Sequence, residues 1–199
     1  MAYSSVLLCN MALLRVGGAR ISSLSEDTEN AIIANLVYQH TYDSVLSSYP
    51  WNCSTQRVKL AQLTSIPAFG YSYQYQLPSD PYCLRVFETY PKNAEYRIED
   101  RKLLTDEDEI YIRYSGRIDE AGLDSWVADV IIAKLALQFV NRISQDIQMK
   151  NILNQEYMIT FQHARMIDGA NSKGDETGED DWINAGWGVS DDEEDTEDD

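Results

Sequence analysis

The chain has 199 residues, 44% of them apolar, and a formal net charge of −17, which is long and apolar enough to bury one substantial core. The charge is uneven: 13 of the 33 acidic residues fall in 174–199, where no Lys or Arg occurs, while in residues 1–173 the other 20 acids meet 16 Lys and Arg and leave only −4. A nearly balanced body with scattered cations argues against nucleic-acid binding as the main task, and three widely spaced cysteines, Cys9, Cys53 and Cys83, argue against a disulfide framework and for reduced, buried thiols.

Tyr3, Leu7, Met11 and Leu14 recur at helical spacing and predict a helix over residues 3–16, stopped by Gly17-Gly18. The apolar stretch Val6-Leu7-Leu8 is interrupted by Asn10 and Arg15 well short of the roughly 20 residues of a membrane span and lacks a basic leader. Ser23-Leu24-Ser25-Glu26 fits a capping box, and Glu26, Asp27 and Glu29 put negative charge on the positive end of a second helix, ended by Pro50 after Tyr49. Its expected core face is Ile33, Leu36, Val37, His40, Val45, Leu46 and Tyr49, with Trp51 closing the bottom of the core.

The signals then change to short strands: 56–60, 71–76, 83–87, 95–98, 102–104 and 109–114. Eight of the thirteen tyrosines fall between Tyr71 and Tyr114. Tyr71, Tyr73 and Tyr75 alternate with polar residues at period two, as in a half-buried strand that Leu77-Pro78 ends. Ile110, Ile112 and Tyr114 oppose Tyr111 and Arg113 in the last strand, and Pro91-Lys92-Asn93 and Glu99-Asp100-Arg101 suit tight reversals. The tyrosines read as a sheet face in a core or subunit interface, since a stacking platform for nucleic acid or sugar would interleave Arg or Lys.

Helix returns over 124–143, apolar around nearly its whole circumference, with Lys134, Gln138, Asn141 or Arg142, and Gln145 as its polar stripe; it is the expected central helix, and Ala128, Ala133 and Ala136 would let neighbours approach closely. A fourth helix, 145–168, carries Leu153, Tyr157, Phe161 and Ala164 on one face and Ile152, Ile159 and Met166 on another. Two apolar faces require two partners, so Ile152, Ile159 and Met166 are the candidate subunit interface. The expected fold is therefore α+β: a bundle of about four helices from residues 1–53 and 117–170, a β-rich insertion over 54–116, and an acidic tail over 171–199, disordered in isolation. Within that tail Trp182, Ile183 and Trp187 are the candidate anchors for a partner's groove.

Signatures of catalysis are missing from the sequence. His40 and His163 sit on different predicted helices without His/Cys neighbours at ligand spacing, so neither a metal nor a cofactor is expected. Neither G-x-S-x-G, a Walker-type Gly-Lys-Ser/Thr, nor G-x-G-x-x-G occurs. Asp106-Glu107-Asp108-Glu109 reads as a solvated turn before a strand, because glycosidase chemistry needs two carboxyls across a cleft.

Several pieces stand in a recognisable order: Leu14-Arg-Val-Gly-Gly-Ala-Arg-Ile-Ser-Ser-Leu24, Glu29-Asn-Ala31, Tyr49-Pro-Trp51, Leu60-Ala61, Tyr75-Gln-Leu-Pro-Ser-Asp80, Leu84-Arg-Val86, Lys102-Leu-Leu-Thr105, Ile110-Tyr-Ile-Arg-Tyr114 and Lys134-Leu-Ala136. Together, over roughly residues 5–165, they resemble the head-to-tail adaptor proteins of tailed bacteriophages, including the tail tubular protein A group of short-tailed phages. The resemblance implies a structural virion protein of the neck, assembled in the host cytoplasm as a homo-oligomeric ring of twelve subunits. Its partners would be the portal protein and a tail or nozzle protein, with double-stranded DNA passing through the channel during genome delivery and no membrane contact. C-terminal segments would embrace the portal, which makes Trp182, Ile183 and Trp187 the portal-binding candidates. The alternative left open is a glycan-degrading, tail-associated enzyme on the same fold, although no motif here matches one. The run Asp191 to Asp199 lies outside the resemblance.

Overall fold

The computed structural model describes residues 2–143 and 147–171. It is α+β, with four helices, α1 (Ser5–Arg15), α2 (Glu29–Ser48), α3 (Ser125–Ile143) and α4 (Ile147–Ala170), and six strands, β1 (Thr55–Lys59), β2 (Tyr73–Gln76), β3 (Cys83–Tyr90), β4 (Tyr96–Glu99), β5 (Lys102–Thr105) and β6 (Tyr111–Gly116). All six expected strands are present, although β2 starts at Tyr73 rather than residue 71 and β6 runs Tyr111–Gly116 rather than 109–114.

α1 ends because Gly17 takes φ +72° and turns the chain so that Gly18 N–H donates to Leu13 O (2.9 Å) and Gly17 N–H to Leu14 O (3.4 Å), the paired bonds of a Schellman stop. A Cβ on Gly17 would touch nothing within 4 Å, so Gly17→Ala carries only the left-handed backbone cost, roughly 1 kcal/mol. The expected result is a lower urea midpoint with an unchanged m value.

The start of α2 differs from expectation. Glu26 closes no capping box; its carboxylate accepts from the Ser22 N–H and hydroxyl, both at 2.8 Å, which holds its pKa down through the Ser22 bonds. The helix begins at Thr28, whose hydroxyl accepts from Ala31 N–H (3.4 Å). Asn10 pins the connecting loop by bonding both N–H and C=O of Ile21.

The buried faces of α1 and α2 are also rotated from those the periodicity suggested. α1 buries Leu8, Cys9, Ala12, Leu13 and Val16, and α2 buries Ala31, Ala34, Tyr38, Thr41, Tyr42, Val45 and Leu46, whereas Leu14 is 78% and Leu36 79% exposed and His40 is exposed too. Close packing explains this. Ala12, Ala31 and Ala34 share one cluster with Ala128 and Ala136 of α3, and small side chains let helix axes approach at the short end of the usual 8–10 Å range, which leaves larger aliphatics pointing outward.

α3 is the central helix: Val127, Val130, Ile131, Ile132, Leu135, Phe139 and Val140 are all fully buried. Trp51 closes the bottom of this core. It is fully buried, its indole N–H donates to Val45 O (2.9 Å), and its ring meets Tyr49 and Phe161 edge-on, with centroids 4.9 and 5.7 Å apart.

The strands form two antiparallel three-stranded sheets, ordered β1-β6-β3 and β2-β5-β4. A second core of Leu60, Tyr75, Leu77, Cys83, Leu103, Ile110, Ile112 and Tyr114 holds them, so Ile110, Ile112 and Tyr114 turn inward as their alternation requires. β4 and β5 join through Asp100 (φ 45°) and Arg101 (φ 57°), the positive-φ pair of a tight hairpin. The first sheet meets the bundle at the end of α2: Ser115 Oγ donates to Leu46 O (2.9 Å) and the Arg117 guanidinium grips the Asp43 carboxylate at 2.9 and 2.6 Å.

Candidate assembly surfaces

α4 is held to the bundle along one side. Leu153 and Ala164 are buried, with Tyr157 and Phe161 packed on the same core. Arg15 pairs with Glu156 (2.8 Å). Lys134 Nζ donates to Ser44 Oγ (2.6 Å) and lies 5.9 Å from the Tyr157 ring centre; burial holds its pKa below the ordinary lysine value. At the C-terminal end the buried Asp168 carboxylate accepts from Asn52 N–H (3.1 Å) and Trp126 Nε1–H (3.3 Å), while Asn52 Nδ2 donates to Asp168 O (2.8 Å). The helix is therefore a fixed platform.

Its other side carries Ile152, Ile159 and Met166, 63%, 67% and 73% exposed. They recur every seven residues, so they form a continuous line about 21 Å long at the helical rise. Gln148, Gln155 and Gln162 flank it with neutral side chains on one side. Apolar residues repeating every seven positions on a rigid helix make a seam for another surface to pack along. The two apolar faces expected of this helix are both present.

The sequence did not point to three further surfaces. Leu14 with Met11 on α1, and Ile32 with Leu36 on α2, face outward, and the loop before β2 exposes Ile66 and Phe69. The alanines on the buried seams were the available signal.

Beside these apolar surfaces lies a groove of about 670 Å³ on the β1-β6-β3 sheet, lined by Arg57, Lys59, Glu88, Tyr90, Lys92 and Arg113, among others. Far apart in sequence, these cations meet because β6 lies between β1 and β3: Arg57 is directly opposite Arg113, and Arg113 opposite Glu88. Glu88 pairs with Arg113 and Glu109 with Lys59. Tyr90 and Tyr111 pack edge-on with centroids 6.2 Å apart. Arg113 Nε is buried without an acceptor among the described residues. Cations that are scattered along the sequence are thus partly gathered here, because strand pairing brings Arg57, Lys59 and Arg113 together and Lys92 lies just beyond the end of β3.

Burial pushes the Cys9 thiol up to about 12 and that of Cys53 to about 11, and raises Cys83 too, so all three are protonated at neutral pH. In the acidic turn, Asp106 accepts from Ser72 N–H and Oγ at 2.8 Å, and the hydrogen bond from Lys59 holds the Glu109 pKa down. His40 and His163 are exposed on separate helices. Among the described residues no group of three His, Cys, Asp or Glu is placed to hold a metal ion, and no helix is long and apolar enough to cross a membrane. Trp182, Ile183 and Trp187 lie outside the described residues. No protein-family model matches the chain, and no curated protein matches it.

Proposed function

We propose that the protein is a structural virion component, a head-to-tail adaptor whose copies form a ring between the portal protein and the tail of a bacteriophage. The observation that carries this reading is the seven-residue line of Ile152, Ile159 and Met166, exposed on a helix whose opposite face is already buried. The ordered set of sequence pieces that resembles this family supports it from a second direction. A ring requires heterologous contact, in which a patch on one copy meets a different patch on the next, and the outward aliphatics of α1 and α2 supply a second apolar patch. In this reading twelve copies surround the passing DNA, Trp182, Ile183 and Trp187 engage the portal, and the sheets and the Ile66–Phe69 loop face the tail or nozzle protein.

The test is electron microscopy and particle mass of the purified protein with and without its portal. Closed rings seated on the portal are expected; a chain that stays monomeric and unbound beside it overturns the reading.

The same proposal makes the protein a structural part that needs no cofactor and catalyses nothing. No peptidoglycan or glucan cleavage traceable to a single Asp or Glu is expected. Cleavage that disappears on changing one carboxylate, with the circular dichroism spectrum preserved, would refute it.

A further inference from the structure

We propose that the free edge of β4 pairs with the same edge of a second copy of this chain, antiparallel and centred on Ile98. This inference does not rest on the adaptor reading, because it uses none of the helical surfaces. β4 ends the β2-β5-β4 sheet, and all four of its residues, Tyr96, Arg97, Ile98 and Glu99, are exposed. The two-residue turn at Asp100-Arg101 makes Glu99 and Lys102 a hydrogen-bonded pair and, by alternation, Arg97 and Leu104 the next. The N–H and C=O of Ile98 therefore point away from β5, and no hydrogen bond to them is found among the described residues. Two copies meeting there exchange both bonds of an Ile98–Ile98 pair. Arg97 of each then stands opposite Glu99 of the other as a non-hydrogen-bonded pair, with Cα atoms about 4.5 Å apart and side chains at their closest.

Charge selects this occupant and this register. Within one chain Arg97 and Glu99 form a long, exposed pair at 3.7 Å. Beside an inverted copy they make a square of four charges in which every neighbour has the opposite sign, so the pair within each chain is kept and two more are added across the seam. Centring the contact on Arg97 or Glu99, or running the strands parallel in register, would set like charges opposite each other. On the other face Ile98 stands opposite the fully buried Leu103 and is itself 43% exposed, so Ile98 against Ile98 extends the second core across the seam. The other three sheet edges do not fit. β2 is covered by residues 61–63, since Leu63 N–H donates to Gln74 O and Gln76 N–H to Ala61 O. β3 carries register shifts at Cys83/Arg85 and Val86/Glu88, which spoil an edge for pairing, and the charged residues of β1 are both cations. β4 has no proline, lysine or shift. Four residues a side make a seam about 13 Å long, far below the standard interface, so the pairing is weak and concentration-dependent.

Sedimentation equilibrium of the full chain is expected to show a mass that rises toward two subunits with concentration, while hydrogen exchange at the Ile98 amide slows. Arg97→Glu alone, or Glu99→Arg alone, sets like charges opposite each other and should weaken the pairing about tenfold or more. Mixed in equal amounts, these two variants should pair with each other more tightly than either does with itself, since each then faces the opposite charge. Ile98→Pro removes the outward N–H without touching the bonds to β5 and should abolish pairing with the circular dichroism spectrum unchanged. Each measurement is repeated with Ile152→Glu and Ile159→Glu in place, so that association through α4 is not counted. A chain that stays monomeric, or charge variants and a mixture that associate as the unmodified chain does, overturn the proposal. So does protection of the Ile98 amide that appears only when a portal or tail protein is added, which would give the edge to a strand of another protein.

Discussion

Replacing Ile152 and Ile159 together by Glu is expected to abolish ring assembly on the portal while the subunit stays folded. Both side chains are largely exposed in the subunit, where surface substitutions usually change stability by about 0.5 kcal/mol or less, and Glu is among the better helix formers. In an assembled ring the same positions lose about 1.5 to 3 kcal/mol each of apolar burial and acquire carboxylates with no counter-charge, which costs several kcal/mol more. At about 1.4 kcal/mol per tenfold, the burial loss alone weakens each contact by roughly a hundredfold or more, and every contact around the ring repeats the defect. Circular dichroism and Tm should match the unmodified protein, while sedimentation shows no particle. Normal assembly by the double variant removes α4 from the interface. In that case Leu14→Glu and Leu36→Glu, made on the other outward patches, locate it.

The strands were legible in the sequence because each carries its own local signal: period-two alternation in Ile110 to Tyr114, a terminating Pro78, and Asp100-Arg101 at a reversal. The exposed line on α4 was legible for a similar reason, since Leu153 and Ala164 already supply a complete buried face. The faces of α1 and α2 were not. Leu7, Met11 and Leu14 make as good a periodic stripe as Leu8, Ala12 and Leu13, and hydrophobicity weights Leu above Ala even though Ala permits the closer approach to α3. Likewise Glu26 stood at capping-box spacing, but Ser22 takes its carboxylate. The basic groove had no local signal at all. Arg57, Lys92 and Arg113 are neighbours only through the strand order β1-β6-β3, which places the last strand between the first and third.

Asp168→Ala is expected to cost roughly 1 to 3 kcal/mol of stability, because it removes a buried carboxylate that accepts from two partly exposed donors, Asn52 N–H and Trp126 Nε1–H. Asp168→Asn keeps one side-chain oxygen as an acceptor and should cost less. The pair also reveals a pH dependence. Burial raises the Asp168 pKa above its ordinary 3.8, more than the Trp126 and Asn52 hydrogen bonds lower it, so between 3.8 and the folded value the native state holds a proton that the unfolded chain has released. Stability then falls with rising pH across that window: this carboxyl favours the fold most below 3.8 and least above its folded pKa. Asp168→Asn removes the titration but keeps the site's shape, so the stability of the unmodified protein relative to this variant should decline as pH rises above 3.8, in urea titrations at matched ionic strength. A difference that grows with pH instead would mean that the charged carboxylate is the favoured form, and that the bonds from Asn52 and Trp126 outweigh its burial.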